Sequence, residues 1–218
     1  MNKAFIFDLD GVLIDDEKIW EGKKQELYVS IFGSDLAVRM GPTTGVNMDG
    51  IYEKALNLGT EVPKESLIKA FYEIAEDIYE TAPLTEGIGS LAETLKKLNY
   101  RIGIVSASPL EWVTSVTKRL SFEDDIELII SLHERHDLDH KPSPEGYQEA
   151  IRILQATPQN TVILEDSNIG IASAKASGAF TIGLKQNLVR GYKQEGADTY
   201  ANNLNDVEQL IRQFGANS

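Results

Sequence analysis

The sequence of 218 residues contains no cysteine, which excludes disulfide bonds and thiolate metal sites. This composition fits a protein of a reducing compartment. The apolar run that precedes Asp8 has only four residues, too few for a signal peptide or a membrane span. We therefore expect a cytoplasmic protein with no membrane partner.

Positive charge is also scarce, with 21 Lys and Arg against 34 Asp and Glu, for a net charge of −13. A broad acidic surface repels nucleic acid and anionic lipid, so neither is an expected partner. An anionic substrate would need a local lysine or a bound metal. The length and the 42% hydrophobic content suit one globular domain, with or without an insertion.

The N-terminal segment from Lys3 to Leu13, KAFIFDLDGVL, carries the first candidate site residues. Its apolar run of aromatic and β-branched residues predicts a strand that is buried on both faces. The run ends at Asp8, and Asp10 follows two residues later. Two carboxylates at this place are costly unless a cation lies between them. In one interpretation the pair shares a divalent cation or divides the roles of nucleophile and acid. In the other it is an Asp-Leu-Asp-Gly turn without a catalytic role.

The segment 15–81 shows helical apolar stripes and no strand pattern, which predicts a helical insertion after the first strand. A Gly/Pro/Thr-rich joint at 41–45 divides it. The predicted helices span 15–31, 49–58 and 63–79.

From Pro83 onward the pattern alternates between helices and strands, which predicts an α/β core with a parallel sheet. Ser108 and Ser143, each followed by proline, predict helix N-caps, and Glu111 would complete a capping box with Ser108. The predicted strands after the first are 101–106, 126–131, 161–165, 179–184 and a short one at 198–201, and the helices are 88–99, one from 108, 143–155, 167–177 and 206–214.

Polar residues follow the predicted strands in a fixed order. Asp8 and Asp166, with Glu165 nearby, form a set of hard oxygen ligands that suits Mg²⁺. Because the carboxyl ends of parallel strands meet at one edge of a sheet, these residues are expected to converge.

A phosphate site is predicted beside these carboxylates. Ser106 precedes a helix start, where its hydroxyl and the free N–H groups of Ala107 and Ser108 can bind a phosphate oxygen. Lys141 would supply a point charge. Together the set favours phosphoryl transfer, with Asp8 as nucleophile and Asp10 as general acid and base.

Each of these residues also has an interpretation without chemistry. Lys141 precedes a proline and fits a solvated loop lysine, and Ser106 fits a helix-entry residue. The run 165–167 fits a cluster that favours a helix dipole. Four such coincidences in this order are far less probable than one, so the joint pattern favours the catalytic interpretation.

Four motifs resemble those of the haloacid dehalogenase superfamily: FDLDGVL at 7–13, VSAS at 105–108, KPSPEGY at 141–147 and LEDSNIGI at 164–171. The helical insertion resembles the cap of the β-phosphoglucomutase-like branch. The resemblance implies a Rossmann-like core of residues 1–14 and 82–218 with strand order 5-4-1-2-3, a mobile helical cap of residues 15–81, and Mg²⁺-dependent chemistry through an aspartyl-phosphate.

The resemblance also implies roles for individual residues. Asp8 would be nucleophile and Mg²⁺ ligand, and Asp10 would be acid/base and lend its backbone carbonyl to the metal. Asp166 would be the third protein ligand, with Glu165 in direct contact or behind it. The phosphoryl group would be held by Ser106, Ala107 and Lys141.

The chain departs from the mutases of this branch at three places. They typically carry a histidine where this chain has Trp20, an arginine after the Gly-Val pair where it has Asn47-Met48, and a lysine where it has Pro109. A mutase must bind two phosphates and exclude water. The absence of these three polar side chains therefore favours hydrolysis. We therefore predict a phosphatase of small phosphorylated metabolites such as sugar phosphates, with a phosphosugar mutase and a non-catalytic binding module as alternatives. A monomer is favoured.

Other candidates carry less weight. The histidines of the sequence lie together, with acidic neighbours, in a polar loop to which we assign no metal. Cap lysines could form a Schiff base as in phosphonatases, but lysines on a charged helix are usually solvated. Two aromatic residues of the insertion, Trp20 and Tyr28, are interpreted as packing residues. The histidines are His133, His136 and His140, and the lysines are Lys18, Lys23, Lys24 and Lys54.

Overall fold

The computed structural model describes residues 2–41, 43 and 48–216. The chain divides into two compact units. Residues 1–17 and 82–218 form the first, which we call the α/β unit, and residues 18–81 form the second, the helical unit.

The α/β unit is built on a six-stranded sheet in the order β3-β2-β1-β4-β5-β6. Every neighbouring pair is parallel. The strands are β1 (Asn2–Phe7), β2 (Tyr100–Ser106), β3 (Ile126–Ser131), β4 (Ala156–Glu165), β5 (Phe180–Leu184) and β6 (Thr199–Ala201). The predicted α/β fold is confirmed, and the first five strands have the 5-4-1-2-3 order that the resemblance implies.

The first strand lies at the centre of the sheet because its residues are apolar on both faces. Ala4 and Ile6 pack in the core cluster that contains Tyr147 and Leu154. On the opposite face the rings of Phe5 and Phe7 lie against aromatic rings of the same unit. A strand covered on both sides has a fixed register, and this register positions the residues that follow it.

Helices cover this sheet. The α/β unit contributes α5 (Ile88–Lys97), α6 (Leu110–Thr117), α7 (Glu145–Ile153), α8 (Asn168–Ala176) and α9 (Leu204–Ala216), in addition to a short 3₁₀ helix at Glu123–Asp125. Helix α7 packs against the central strands and α8 against β5, whereas α5 packs on β2 and on α9.

The helical unit contains α1 (Glu17–Phe32), α2 (Ser34–Met40), α3 (Met48–Asn57) and α4 (Lys64–Thr81). Its core joins residues from all four helices, among them Tyr28, Met40, Ile51 and Leu67. The short helix α2 was not predicted, because seven residues carry too little periodicity to be distinguished from a loop.

Two local predictions were wrong. Ser108 does not cap a helix, since α6 begins after Pro109 with no side-chain cap bond. Ser143 Oγ does accept a hydrogen bond from the backbone N–H of Glu145, the first residue of α7, at 3.4 Å, and Pro144 has helical dihedral angles. Ser167 does cap α8, accepting a hydrogen bond from the backbone N–H of Gly170. Strand β4 begins at residue 156 and not at 161, because Ala156 pairs with Asn2 beyond a register shift.

Among the described residues, none of the helices combines the length and apolarity that a membrane crossing requires.

Candidate active site

The candidate site lies at the carboxyl edge of the sheet, where three neighbouring strands end. Phe7 is level with Ile104 on β2 and Leu164 on β4, so the residues that follow them are neighbours. The backbone N–H of Asp8 continues the pairing to the carbonyl of Leu164 at 3.1 Å. The sheet register therefore brings Asp8 between the end of β2 at Ser106 and the end of β4 at Glu165.

The side chain of Lys141 joins these strand ends. Its Nζ donates to Asp8 Oδ1 at 2.6 Å, to Glu165 Oε1 at 2.7 Å and to the backbone carbonyl of Val105 at 3.1 Å. Only 8% of the side chain is exposed. The structure therefore differs from the interpretation of Lys141 as a solvated loop lysine.

Glu165 is fully buried, and both of its oxygens accept hydrogen bonds. Oε1 accepts from Lys141 and from the Tyr147 hydroxyl at 2.6 Å, while Oε2 accepts from the backbone N–H of Asp166 at 3.2 Å. A Cβ on Gly170 would lie 1.9 Å from Glu165 Oε1, so only glycine leaves room for the carboxylate. Glu165 is thus positioned to hold Lys141 in place.

Asp166 lies on the other side of the cluster, close to the loop after β1. One ligand oxygen each from Asp8, Glu165 and Asp166 lie within 4.8 Å of one another, an arrangement that suits one cation. Gly11 has φ +69°, and a Cβ there would lie 2.0 Å from Asp166 Oδ2. Glycine at this position therefore lets the loop turn sharply against the carboxylate.

The charges of the cluster do not balance by themselves. Burial raises the pKa of Asp8 above its ordinary value, and Glu165 raises it further, while Lys141 acts against both. Burial acts to lower the pKa of Lys141, but Asp8 and Glu165 outweigh it and hold that pKa well above its usual value. One ammonium group thus lies among three buried carboxylates, which leaves negative charge for a further cation to offset.

Ser106 and Asp10 meet through Ser108. The backbone N–H of Ser108 donates to Ser106 Oγ at 2.9 Å, and Ser108 Oγ donates to Asp10 Oδ2 at 2.8 Å. Ser106 is fully buried, whereas Ala107 is exposed. The structure thus brings together Asp8, Glu165, Asp166 and Lys141 in one cluster and Asp10, Ser106 and Ser108 in a connected second group.

Two amide side chains from the loop after β5, a buried one at Asn187 and a half-buried one at Gln194, brace the site, and no sequence pattern pointed to them. Asn187 Nδ2 donates to the Gly11 carbonyl at 3.0 Å and to Thr85 Oγ1 at 2.7 Å. Gln194 Nε2 donates to the carbonyl of Asp166 at 2.6 Å and to that of Leu184 at 2.7 Å. The loops that carry Asp10 and Asp166 are therefore tied to the same segment.

The other residues that the sequence analysis considered do not belong to this cluster. Trp20 stacks on Phe71 with ring centroids 4.7 Å apart, and the Tyr28 hydroxyl lies 2.8 Å from Thr43 Oγ1, as packing residues of the helical unit. Within the described part of the chain, the three histidines do not belong to a group of ligand atoms that could share a metal. The mutase loop comparison at Gly45, Val46 and Asn47, and the joint residues Pro42 and Thr44, lie outside the described residues.

Known proteins resemble this chain over most of its length. Hexitol phosphatase B from Escherichia coli (strain K12) is 28% identical over 180 residues, which cover 80% of this chain and 79% of that protein. β-Phosphoglucomutase from Bacillus subtilis (strain 168) is 27% identical over 218 residues, covering 94% and 91%. The crystal structure of CbbY from Rhodobacter sphaeroides in complex with phosphate shares the fold, with a TM-score of 0.71, 22% identity and coverage of 93% and 95%.

The family model of haloacid dehalogenase-like hydrolases matches residues 5–184, a span that contains all four motifs. The resemblance noted in the sequence is thereby confirmed. The chain belongs to the haloacid dehalogenase-like hydrolase family.

Proposed function

We propose that this protein is a Mg²⁺-dependent phosphatase that hydrolyses small phosphorylated metabolites through an aspartyl-phosphate on Asp8. The observation that carries the proposal is the buried cluster in which Lys141 lies on Asp8 and Glu165 while Asp166 lies within ligand distance of both carboxylates. Burying several carboxylates together costs free energy unless a cation offsets their charge. Such clusters are typical of functional sites.

The residues present fit a magnesium ion. Asp8 and Asp166 would hold the ion through hard carboxylate oxygens. The family resemblance implies that Asp10 would add its backbone carbonyl. We assign Glu165 a supporting role, because its oxygens already accept hydrogen bonds from Lys141, Tyr147 and the backbone. When bound, Mg²⁺ supplies positive charge that offsets the phosphoryl group and the carboxylates.

In the first half-reaction a carboxylate oxygen of Asp8 attacks phosphorus and the bond from phosphorus to the ester oxygen breaks. Asp10 gives its proton to the departing oxygen. Lys141 and Ser106 hold phosphoryl oxygens, together with the backbone N–H of Ala107. In the second half-reaction Asp10 takes a proton from water as the water attacks phosphorus, which releases phosphate and restores Asp8.

The substrate class is proposed from the relatives. Hexitol phosphatase B and β-phosphoglucomutase bear names that refer to sugar phosphates, and both align over most of this chain. We therefore favour sugar phosphates or similar monoesters as substrates. The role of residues 15–81 as a cap stays a prediction.

The test is a screen of purified protein against hexose and hexitol phosphates, with release of inorganic phosphate as the readout. We expect turnover with Mg²⁺, its loss when EDTA removes the metal and its return when Mg²⁺ is added in excess, with Asp8→Asn as an inactive control. Undiminished turnover in EDTA would contradict the magnesium requirement. No turnover of any ester in either condition would reject the proposed activity and favour a binding module.

A phosphosugar mutase is the second candidate, supported by the β-phosphoglucomutase relative. The assay that separates the two uses β-glucose 1-phosphate with a trace of glucose 1,6-bisphosphate. A phosphatase releases phosphate and free sugar. Sustained conversion to glucose 6-phosphate without net release of phosphate would establish the mutase instead.

A further inference from the structure

We propose that Ser108 is a positioning residue for the proton transfer by Asp10, an inference that rests on the proposed phosphatase function. Its hydroxyl fixes one oxygen of the Asp10 carboxylate, so that the other oxygen faces the reacting ester. The residue lies two positions after Ser106.

The contact that carries the inference joins Ser108 Oγ to Asp10 Oδ2 at 2.8 Å. Ser108 is 9% exposed, and Asp10 is only half-buried. The hydrogen bond from a nearly buried serine therefore holds Oδ2 of this carboxylate at a defined place.

The backbone of Ser108 is itself held on both sides. Its N–H donates to Ser106 Oγ at 2.9 Å, and its carbonyl accepts a hydrogen bond from Ser131 Oγ at 2.7 Å. Ser106 and Ser131 are paired in the parallel register of β2 and β3, so both contacts come from adjacent strand ends. The backbone that carries the Ser108 hydroxyl is thus tied to the ends of two adjacent strands.

Helix capping does not account for this side chain. Helix α6 begins at Leu110 without a side-chain cap bond, and the Leu110 N–H donates to the carboxylate of Glu134 at 3.2 Å. The serine that the sequence suggests as a cap therefore serves Asp10 instead. In the same arrangement Ser106 accepts from Ser108, which leaves the Ser106 hydroxyl proton to donate to a phosphoryl oxygen.

The chemical consequence concerns the protonated form of Asp10. In the proposed arrangement Ser108 donates to Oδ2 and the transferable proton resides on Oδ1. When the phosphorus–oxygen bond breaks, Oδ1 releases this proton to the ester oxygen and Asp10 becomes a carboxylate. The same oxygen then takes a proton from the attacking water, and Ser108 keeps its own proton throughout.

The experiment compares Ser108→Ala with wild type on two esters, phenyl phosphate and p-nitrophenyl phosphate. The value of kcat/KM reports the steps up to the first phosphoryl transfer, and only a poor leaving group needs strong proton donation. Because general acid catalysis contributes about 10²–10⁴-fold, we expect Ser108→Ala to lower kcat/KM about tenfold or more with phenyl phosphate. With p-nitrophenyl phosphate we expect a loss of about threefold or less, because the leaving group is already stable as an anion.

Two further variants keep the test decisive. Ser108→Thr retains the hydroxyl and should recover most of the activity toward phenyl phosphate. Ser90→Ala removes a hydroxyl that donates to the carboxylate of Glu208 at 2.7 Å, far along the sequence from the motifs, and should match wild type on both esters. Melting curves and the Mg²⁺ concentration that gives half-maximal turnover should be the same for all variants.

Equal losses on the two esters, or none, would overturn the role of Ser108 while leaving the phosphatase proposal in place. If wild type hydrolyses neither these two esters nor any ester of the substrate screen with Mg²⁺, the phosphatase proposal fails and the role of Ser108 fails with it. If it hydrolyses only an ester of the screen, that ester replaces phenyl phosphate, and an unchanged kcat/KM in Ser108→Ala overturns the role of Ser108. If Ser108→Ala does not fold, Ser108→Thr decides. A folded, active Ser108→Thr variant whose ratio of kcat/KM between the two esters differs from that of wild type would also overturn the inference.

Discussion

The two units of this protein differ in their ion pairs: both carry exposed pairs, and the α/β unit also holds a buried group. In the helical unit charged side chains pair on the surface, as in Lys23–Asp77 at 3.5 Å and Lys64–Asp49 at 2.7 Å, with side chains 38–71% exposed. In the α/β unit Lys141 pairs with Asp8 and Glu165 at 2.6 and 2.7 Å, with side chains at most 10% exposed.

The difference indicates which charged groups belong to the candidate active site. Exposed ion pairs contribute little to stability, because water screens them and the side chains lose entropy. Buried charges cost free energy unless partners compensate them, and a folded protein retains such clusters chiefly at functional sites. The surface pairs are therefore expected to tolerate substitution, and the buried cluster to be sensitive to it.

The largest expected effect comes from Asp8→Asn. Because this change removes the proposed nucleophile, we expect turnover to fall by at least about 10⁴-fold. The substitution keeps the shape of the side chain and removes a carboxylate whose pKa is raised mainly by burial, so metal-free protein should melt at the same temperature or higher. Phosphate release and thermal melting without Mg²⁺ measure the two effects. A large fall in melting temperature would show that Asp8 stabilises the fold.

Glu165→Gln tests the other partner of Lys141. A glutamine that kept its carbonyl toward Lys141 and Tyr147 would point its NH₂ group at the backbone N–H of Asp166, so two donors would face each other. We expect a loss of about 3 kcal/mol in the free energy of unfolding, measured by urea denaturation, together with a lower kcat.

The matched control is Asp77→Asn, which breaks the surface pair with Lys23 in the helical unit. Neither stability nor activity should change measurably. If both substitutions destabilised the protein equally, the contrast between buried and exposed ion pairs would be wrong.

The smallest expected effect contrasts two glycines on helices. A Cβ at Gly170 would overlap the Glu165 carboxylate, whereas one at Gly22 on α1 would have no atom of the described residues within 4 Å. Gly170→Ala should destabilise the protein by about 1–3 kcal/mol through overpacking. Gly22→Ala should stabilise it by about 0.5–1 kcal/mol, because alanine loses less backbone entropy in a helix. Urea denaturation of both variants measures the opposite signs, and the same sign for both would refute the steric argument.

Much of the fold could be predicted because its signals are local. The apolar run of β1 and the helix–strand alternation after Pro83 match the observed elements with small shifts of their ends. The early start of β4 was missed because residues 156–160 include a proline and show no hydrophobic pattern, and Ala156 pairs with Asn2 only across a register shift. The predicted cap at Ser108 failed because its hydroxyl donates to the carboxylate of Asp10, 98 positions away in the sequence.

The sequence by itself determined the residue types of the site and their order along the chain. Carboxylates directly after a buried strand cost free energy unless a cation accompanies them, so the pattern points to a site. Only the tertiary structure decided which of these residues touch. Lys141 meets Asp8 across 133 positions and Glu165 across 24, and Asn187 reaches Gly11 across 176. Such pairings depend on sheet register and loop packing, which bring together side chains whose separation in sequence carries no periodic signal.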